Sequence, residues 1–380
     1  MGARGSRPVF PEGSAMQIFE QIGRHLEAST NPLGAALPPR HLSLGLQGGG
    51  SFGAFTWGVL DRLLEEPRLT FDTLSGASAG AINAVLLAAG LADGGREGAR
   101  EKLEHFWRRL SQAASFVPFA NNATLTPVAA SRTLSFWTRF VSPYQYNPFD
   151  LNPLRILLNE EVDFDRLRKE RPVGLLVAAT RVSDGRARIF NNDEITVDAI
   201  IASASLPLLH HAVTIDDEAY WDGGYSANPP LYELVVESET PDILIVQITP
   251  MQRAAIPTTS QEIMRRLDQM AFNASLLTET ERVMQHAELH RGPLGLLSPN
   301  GRKWRRLTLH RIVAEEEIER LSEASASNLA WSFLSDLRSH GRNAAEAWLR
   351  GKPAASTAPA KPLRARSSEE ELIAASAGSR

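Results

Sequence analysis

The chain has 380 residues, of which 43% are hydrophobic and 22% are charged, a balance typical of a globular protein. Its 40 basic and 44 acidic residues give a formal net charge of −4, so the composition provides no electrostatic reason to expect a nucleic-acid partner. The sequence contains no cysteine, which excludes disulfides, a thiol nucleophile and cysteine-ligated metal sites.

The hydrophobic segments are too short for an integral membrane protein. The longest apolar run, Ala79 to Leu91, is interrupted by Asn83 and Gly90 and falls short of the about 20 residues that a membrane span requires. The amino-terminal residues lack the apolar stretch of a signal peptide. We therefore expect a cytoplasmic protein.

Both ends of the chain differ in composition from its centre. Residues 1–40 have Pro- and Gly-rich stretches, and residues 351–380 are Ala, Ser, Pro and charged residues without apolar periodicity. We predict a flexible leader over 1–40, a catalytic core over 41–250, a helical extension packed on that core over 251–350, and a disordered tail over 351–380.

Strand-like and helix-like segments alternate through the chain. The predicted strands are Leu42–Leu46, Phe71–Leu74, Val173–Thr180, Ala187–Asn191, Val213–Trp221, Ile243–Thr249 and Trp304–Val313. The predicted helices are Gly53–Glu66, Ala79–Leu91, Val197–Ala204, Gln261–His290 and Ala326–Leu349. This alternation predicts an α/β fold with a mainly parallel central sheet.

The periodic pattern weakens between residues 110 and 160. This segment contains five prolines and a set of aromatic residues that look exposed, namely Phe136, Trp137, Phe140, Tyr144 and Tyr146. We interpret it as an insertion that covers another part of the protein, either as a lid or as a second edge of the core.

The sharpest local signal is a G-x-S-x-G motif, Gly76 to Gly80, between an apolar strand and an Ala-rich helix. A nucleophilic serine at the apex of a strand-to-helix turn needs small residues two positions before and after it, because larger side chains would collide. The turn also places Ser78 at a helix N-terminus, where free N–H groups favour negative charge on a substrate oxygen. We interpret Ser78 as a nucleophile; the alternative is a tight glycine turn with a serine N-cap.

A glycine-rich loop, Gly48 to Gly53, follows the first predicted strand and opens the first helix. Its amides suit either the pyrophosphate of a dinucleotide or the oxyanion of an acyl intermediate. Asp72 lies at about the 20-residue offset of a ribose-binding acid, but it begins the second strand rather than ending it. Parallel strands bring their carboxyl ends to one sheet edge, so the loop and Ser78 can face one point and we favour the oxyanion hole.

Asp222 ends an apolar strand and is followed by Gly223 and Gly224. A serine hydroxyl needs a group that accepts its proton, and a carboxylate can do so in a dry pocket because burial raises its pKa. The alternative interpretation of Asp-Gly-Gly is a hairpin turn.

Taken together and in this order, the three motifs resemble those of the patatin-like phospholipase family. That family carries G-x-G-x-x-G in its oxyanion loop, G-x-S-x-G around its nucleophile and D-G-[AG] around its catalytic aspartate. The resemblance also takes in Ser203 to Pro207 and Asn228-Pro229, and it spans roughly residues 42–250.

The resemblance implies a three-layer α/β/α sandwich and a Ser–Asp dyad that hydrolyses acyl esters of phospholipids and other lipids. Ser78 would be the nucleophile and Asp222 the base. The implied oxyanion hole comprises Gly48, Gly49, Gly50, Gly53 and Ala79, with the amides of Gly49, Gly50 and Ala79 as its donors. No metal or organic cofactor is implied. Phe52 departs from the family pattern, which often has Arg or Lys before the last glycine.

Histidine residues offer two competing interpretations. A triad built on Asp222 would need a downstream histidine, but His286, His290 and His310 lie in a predicted helix and a late strand rather than in a strand-end loop. His286 and His290 are one helical turn apart, as in a metal chelate, but they do not form H-E-x-x-H. We expect neither a triad nor a metal site.

The basic segments Arg265-Arg266 and Arg302 to Arg306 are typical of solvated surface. In the second segment, however, Trp304 lies among four cations, a composition that a phospholipid headgroup layer attracts. Peripheral contact with a membrane is therefore an open alternative for this segment.

The sequence predicts a lipid acyl hydrolase with Ser78 and Asp222 as its catalytic residues and a lipid ester as its substrate. The alternative is a catalytically silent relative that binds a lipid or granule surface. A dinucleotide-dependent enzyme, which would bind NAD or FAD through Gly50, is a third interpretation. The oligomeric state is not predicted.

Overall fold

The structure is a computed structural model that describes residues 40–115, 142–249, 256–291, 301–314 and 328–351. The predicted leader up to residue 39, the aromatic residues Phe136, Trp137 and Phe140, and the predicted tail from residue 352 lie outside the described residues.

Eight strands of the described chain form one sheet. They are β1 (His41–Leu46), β2 (Thr70–Ala77), β3 (Gly174–Arg181), β4 (Ala187–Asn191), β5 (Val213–Ile215), β6 (Glu218–Asp222), β7 (Asp242–Gln247) and β8 (Thr308–Val313). Their order is β5-β6-β3-β2-β1-β7-β8, with β4 paired to β3. Five neighbouring strands are parallel to one another, namely β3, β2, β1, β7 and β8. The other three, β4, β5 and β6, pair antiparallel. The predicted mainly parallel sheet is confirmed.

The helices are α1 (Gly53–Leu64), α2 (Ala79–Ser115), α3 (Pro143–Tyr146), α4 (Pro153–Glu161), α5 (Phe164–Glu170), α6 (Val197–Ser203), α7 (Leu231–Glu237), α8 (Ser260–Arg291), α9 (Gly301–Arg306) and α10 (Trp331–Leu349). Helix α2 is kinked at Gly94 and Gly95, which have non-helical dihedral angles. Among the described helices, none combines the length and the hydrophobicity that crossing a membrane requires.

Helices cover both faces of the sheet. Alternate residues of each strand point to opposite faces, so both faces present apolar side chains that helices bury. In β1, Leu42, Leu44 and Leu46 belong to a core cluster shared with α1, α2 and α10. In β7, Ile243 and Ile245 belong to a second cluster shared with α7, α8 and α9. The protein is therefore the three-layer α/β/α sandwich that the resemblance implied.

The pairing of β3 brings the ends of two other strands together. One edge of β3 pairs with β4 over residues 176–180, so β2 and β6 must share the other edge. Ala77, the last residue of β2, pairs with Ala178, and Asp222 of β6 pairs with the next residue, Ala179. Strand β6 thus continues the line of β2 where β2 ends.

The carboxyl-terminal helix α10 packs closely on α1. A β-carbon on Gly58 of α1 would collide with the backbone carbonyl of Arg338, and a β-carbon on Gly341 of α10 would collide with that of Phe55. The two helices approach through their glycines, so α10 is an integral part of the core.

The predicted strand Val213–Trp221 is a hairpin in the structure. Asp216 and Asp217 separate β5 from β6, and both have positive φ values, +51° and +62°. Two consecutive residues of this kind form the tight turn that suits a two-residue hairpin, and aspartate tolerates the conformation.

The predicted strand Trp304–Val313 begins later than expected. Trp304 lies in α9, is 4% exposed and packs in the second cluster, so only Thr308–Val313 form a strand. That strand, β8, lies beyond residue 250 and pairs with β7. The predicted domain boundary at 250 stays a prediction.

Candidate active site

Ser78 occupies the turn between β2 and α2. Its φ of +54° lies in the left-handed region, which a residue other than glycine adopts only where the surrounding structure imposes it. A β-carbon on Gly76 would lie 2.5 Å from the carbonyl carbon of Gly80, and one on Gly80 would collide with the carbonyl oxygen of Leu46. The small residues of the motif therefore permit the tight reversal at Ser78.

Asp222 is fully buried at the end of β6. Its Oδ1 accepts a hydrogen bond from the Gly224 N–H at 2.8 Å, and its Oδ2 has no hydrogen-bond partner among the described residues. Burial raises the pKa of Asp222 to about 7, although the Gly224 amide and an interaction with the Ser78 hydroxyl both lower it. The structure thus brings Asp222 into reach of Ser78, and no described residue other than Ser78 competes for its Oδ2.

The last residue of α6 and the segment that follows it hold both residues. The Ser78 N–H donates to the carbonyl of Ser203 at 3.1 Å and to the Ser203 hydroxyl at 2.9 Å. The Asp222 N–H donates to the carbonyl of Ser205 at 2.9 Å. Since these two anchors are only two residues apart, they restrict the separation between Ser78 and Asp222.

The glycine loop lies against Ser78, since a β-carbon on Gly48 would be 2.8 Å from the β-carbon of Ser78. Two of the five predicted oxyanion-hole residues use their amides elsewhere. The Gly48 N–H donates to Oδ1 of Asn228 at 2.7 Å, and the Gly53 N–H donates to carbonyls within the loop. Neither N–H is available to a substrate.

The other three predicted amides have no such partner. Within the described residues, the N–H groups of Gly49, Gly50 and Ala79 donate to no backbone carbonyl or side chain. Gly50 has a φ of +60°, a conformation that glycine adopts without strain. Ala79 is the first residue of α2, where a helix leaves its N–H groups unsatisfied.

Gly223 and Gly224 allow the turn after Asp222 to pack closely. A β-carbon on Gly223 would collide with the carbonyl of Ala178, and one on Gly224 would collide with the ring of Phe272. Phe272 belongs to α8, and its ring centroid lies 5.3 Å from that of Tyr225. Helix α8 therefore contacts the turn that carries the acid.

Sequence reasoning missed two residues that contact this site, Phe272 and Asn273; it noted Gln47 only as the start of the glycine-rich signal, and Asn228 only as part of the resemblance. The Gln47 side chain precedes the glycine loop and donates to Asn273 Oδ1 at 3.1 Å, across 226 residues of sequence. A polar residue at the end of a buried strand was the available signal for Gln47. The α8 residues carry no local signal, because their roles depend on distant packing.

The acid required for a dinucleotide site lies elsewhere. Asp72 Oδ2 accepts hydrogen bonds from the hydroxyls of Ser43 and Ser238, at 3.1 and 3.0 Å, and from the Glu239 N–H at 2.7 Å. These partners lie toward the amino end of β1 and just after α7, away from the glycine loop.

The histidines weighed for a triad are engaged away from Asp222. His310 Nε2 lies 2.9 Å from an oxygen of Asp242, at the start of β7. The rings of His286 and His290 lie 4.4 and 5.8 Å from the Trp304 ring. Within the described ranges, no group of three or more His, Asp or Glu side chains has the arrangement of a metal site.

The basic segment on α9 does not present its tryptophan to solvent. Trp304 is buried, and Lys303 Nζ donates to the carbonyls of Val236 and Ser238, at 2.8 and 2.6 Å. The suggested membrane contact through Trp304 therefore has no support in the structure, because the ring packs in the protein interior.

A model of the patatin-like phospholipase family matches residues 44–235, about half of the chain. The matched segment contains the glycine loop, the elbow at Ser78 and the turn at Asp222. None of the curated proteins matches the chain.

Several solved structures resemble the chain at low sequence identity. VipD from Legionella pneumophila is 15% identical with a TM-score of 0.44, covering 82% of this chain and 67% of that one. The type III effector ExoU is 16% identical with a TM-score of 0.30, covering 83% and 53%. ExoU in its heterodimeric complex with SpcU, from the type III secretion system of Pseudomonas aeruginosa, is 20% identical with a TM-score of 0.30, covering 64% and 52%. The chain spans about half the length of the two ExoU chains.

Proposed function

This chain belongs to the patatin-like phospholipase family, and from that premise we propose that it hydrolyses carboxylic esters of lipids with Ser78 as nucleophile and Asp222 as general base. The observation that carries the proposal is the state of Asp222. Its carboxylate has a pKa raised to about 7, interacts with the Ser78 hydroxyl and keeps Oδ2 without a hydrogen bond among the described residues. A base with these properties accepts a proton at neutral pH.

In the first half-reaction, Ser78 Oγ attacks the carbonyl carbon of the ester while its proton moves to Asp222 Oδ2. The electron pair of the carbonyl bond moves to the oxygen and forms a tetrahedral oxyanion. When this intermediate collapses, the bond to the leaving alcohol breaks, and the alcohol oxygen takes the proton back from Asp222. The products are the free alcohol and an acyl ester of Ser78.

In the second half-reaction, water attacks the acyl ester and gives a proton to Asp222. Collapse of the second intermediate releases the fatty acid and returns the proton to Ser78 Oγ. The N–H groups of Gly49, Gly50 and Ala79 are the donors that we assign to both oxyanions. Their lack of partners among the described residues supports this assignment.

The proposal is tested with an active-site-directed fluorophosphonate and a panel of phospholipid, lysophospholipid, triacylglycerol and short-chain esters. We expect the wild-type protein to be labelled at Ser78 and the Ser78→Ala variant to lose at least about 10³-fold in kcat on every ester that is cleaved. Ser339→Ala on the exposed surface of α10 is the matched control and should retain wild-type rates. The rate should rise with pH and level off above about 7, because only the ionised Asp222 accepts the proton.

Two results would contradict the proposal. One is folded wild-type protein that is not labelled at Ser78, and the other is a Ser78→Ala variant that cleaves esters as well as the wild type. Either would favour the catalytically silent alternative, in which the fold binds a lipid or granule surface.

We also propose that the protein contacts lipid surfaces beside the site. The first half of α8 carries exposed apolar side chains on one side, at positions three and four residues apart. We call Ile263, Met264, Leu267 and Met270 the lipid-contact face; these residues are 40–54% exposed. This face lies on the amino-terminal part of α8, and the next turn of the helix carries Phe272, which contacts the turn after Asp222.

A further inference from the structure

Two consecutive residues of α8, Phe272 and Asn273, are each linked to the glycine loop by a hydrogen bond from an intermediate side chain. Both lie outside residues 44–235, the segment that matches the family. One contact runs through Gln47, which precedes the loop, and the other through Asn228, which follows the turn of Asp222.

The first contact completes the hydrogen bonding of the Gln47 amide. Gln47 Oε1 accepts hydrogen bonds from the N–H groups of Ile248 and Thr249, at 2.9 and 2.8 Å. Its Nε2 therefore faces away from β7 and needs an acceptor, which Asn273 Oδ1 supplies at 3.1 Å. Gln47 is fully buried and Asn273 is 4% exposed, so water does not readily replace this contact.

The second contact holds the first residue of the loop. The carbonyl oxygen of Phe272 accepts from Nδ2 of Asn228 at 3.4 Å, and Oδ1 of Asn228 accepts from the Gly48 N–H at 2.7 Å. The loop residue Gly48 is therefore linked to α8 through Asn228, just as the preceding residue Gln47 is linked to it through Asn273.

Within the loop, the Phe52 N–H donates to the Gly49 carbonyl at 3.3 Å and the Gly53 N–H donates to the Gly50 carbonyl. A β-carbon on Gly49 would meet the Ile248 side chain at 3.0 Å, so Gly49 packs against the same segment, Ile248-Thr249, whose N–H groups donate to Gln47. An oxyanion hole stabilises a transition state only if its N–H groups are already aimed at the developing charge, and a glycine-rich segment does not hold such an aim by itself.

We propose that Asn273 is a positioning residue that holds the oxyanion donors of Gly49 and Gly50 in place by fixing the Gln47 side chain. The inference rests on the proposed function, because it assigns those amides to the oxyanion. Loss of the contact affects the transition state more than the bound substrate, so kcat should fall while KM changes little.

The test compares Asn273→Ala with Thr280→Ala, using p-nitrophenyl butyrate as the substrate. Thr280 is a matched control, since it is a buried polar residue of the same helix whose hydroxyl donates to the Leu276 carbonyl within α8. We expect Asn273→Ala to lower kcat by about 10- to 100-fold while KM stays within about 3-fold of wild type. This fall in kcat is smaller than the fall of about 10²- to 10³-fold that follows deletion of an oxyanion-hole donor itself. Thr280→Ala should keep both constants near wild type.

A second measurement is independent of activity. Hydrogen–deuterium exchange of the segment 47–53 should accelerate in Asn273→Ala and stay unchanged in Thr280→Ala. If Asn273→Ala fails to fold, Asn273→Leu fills the volume without an acceptor and takes its place.

The proposal is overturned if a folded Asn273 variant keeps wild-type kcat, or if segment 47–53 exchanges at the wild-type rate. Failure of the proposed function has a different signature. In that case the wild-type protein itself is not labelled at Ser78 and cleaves no ester, while the exchange data still report whether Asn273 holds the loop.

Discussion

Two aspartates of this protein are almost completely buried, yet their pKa values move in opposite directions. Among the residues that the structure describes, no cation lowers the pKa of Asp222, and burial raises it to about 7. Burial acts in the same direction on Asp61, but hydrogen bonds from Arg100 and Arg342 and the charges of Arg338 and Arg342 outweigh it and lower the pKa. At the scale of single residues, the partner of a buried carboxylate therefore decides whether it can act as a base near neutral pH.

The raised pKa predicts that Asp222 destabilises the folded protein at high pH. Between about pH 4 and pH 7, the folded state binds a proton at Asp222 that the unfolded state releases, so the free energy of unfolding falls as pH rises through this window and levels off above it. Asp222→Asn removes the titrating carboxyl group, so the free energy of unfolding of the variant does not fall in this window for that reason. The variant should gain on the order of 4 kcal/mol of stability relative to wild type at pH 8, and less than about half of that at pH 5, where the loss in the wild type has only begun.

Urea denaturation of both proteins at the two pH values measures the effect. A stability difference between Asp222→Asn and wild type that is the same at pH 5 and pH 8 would show that the pKa of Asp222 is not raised. The variant should also lose ester hydrolysis, since its amide accepts no proton from Ser78.

At the scale of elements, helices outside the family segment complete the fold and the site. Asp61 of α1 is 1% exposed and binds Arg100 of α2 at 2.8 Å, and Arg338 and Arg342 of α10 at 2.9 and 2.5 Å. Together with the glycine contacts between α1 and α10, this cluster joins three helices on one face of the sheet. Helix α8 contacts the site from the other face.

Asp61→Asn should destabilise the protein by about 3 kcal/mol or more, because it leaves three guanidinium groups without their buried counter-charge. Asp193→Asn is the matched control: Asp193 pairs with Arg171 on the surface and is 68% exposed, so its loss should cost less than about 1 kcal/mol. Urea denaturation at pH 7 compares the two variants. Equal stability of Asp61→Asn and wild type would contradict the role of the cluster.

The pH dependence of this cluster has the opposite sign to that of Asp222. Because the folded pKa of Asp61 is lowered, its contribution is present above the ordinary aspartate value and is lost as pH falls through the folded value. The difference between wild type and Asp61→Asn should therefore shrink in acid.

At the scale of the whole molecule, the net charge of −4 gives no general attraction to anionic lipids. Contact with a lipid surface then depends on apolar side chains, and the lipid-contact face on α8 provides them near the site. Phe272 lies two residues beyond Met270 and contacts the turn after Asp222, so the lipid-contact face and the contact with the site belong to neighbouring turns of α8.

Replacing Leu267 and Met270 together by Glu should reduce hydrolysis of phosphatidylcholine vesicles by about 10-fold or more, because two charges must then leave water at the lipid surface. Hydrolysis of p-nitrophenyl butyrate, which is dissolved in water, should be unchanged. Leu289→Glu is the matched control, since Leu289 is 73% exposed near the other end of the same helix. Wild-type activity of the double variant on vesicles would exclude this face as the lipid contact.

Local patterns predicted much of the fold. The alternating leucines of β1 lie in a strand as predicted, and the strand Ala187–Asn191 has the predicted bounds. The errors occurred where a tertiary contact overrides the local pattern: Trp304 suits a strand by composition, but its packing against α8 places it in a helix.

The sequence by itself determined the motifs and the parallel sheet, because each depends on spacing within a short stretch or on the alternation of strands and helices, whereas the pairing of Ser78 with Asp222 was implied by the family resemblance. Only the tertiary structure decided which loop amides have no partner among the described residues, that Asn228 accepts from the Gly48 N–H, and that Asn273 accepts from Gln47 across 226 residues of sequence. Such contacts join residues far apart in the chain, and no local periodicity records them, since they depend on how whole elements pack.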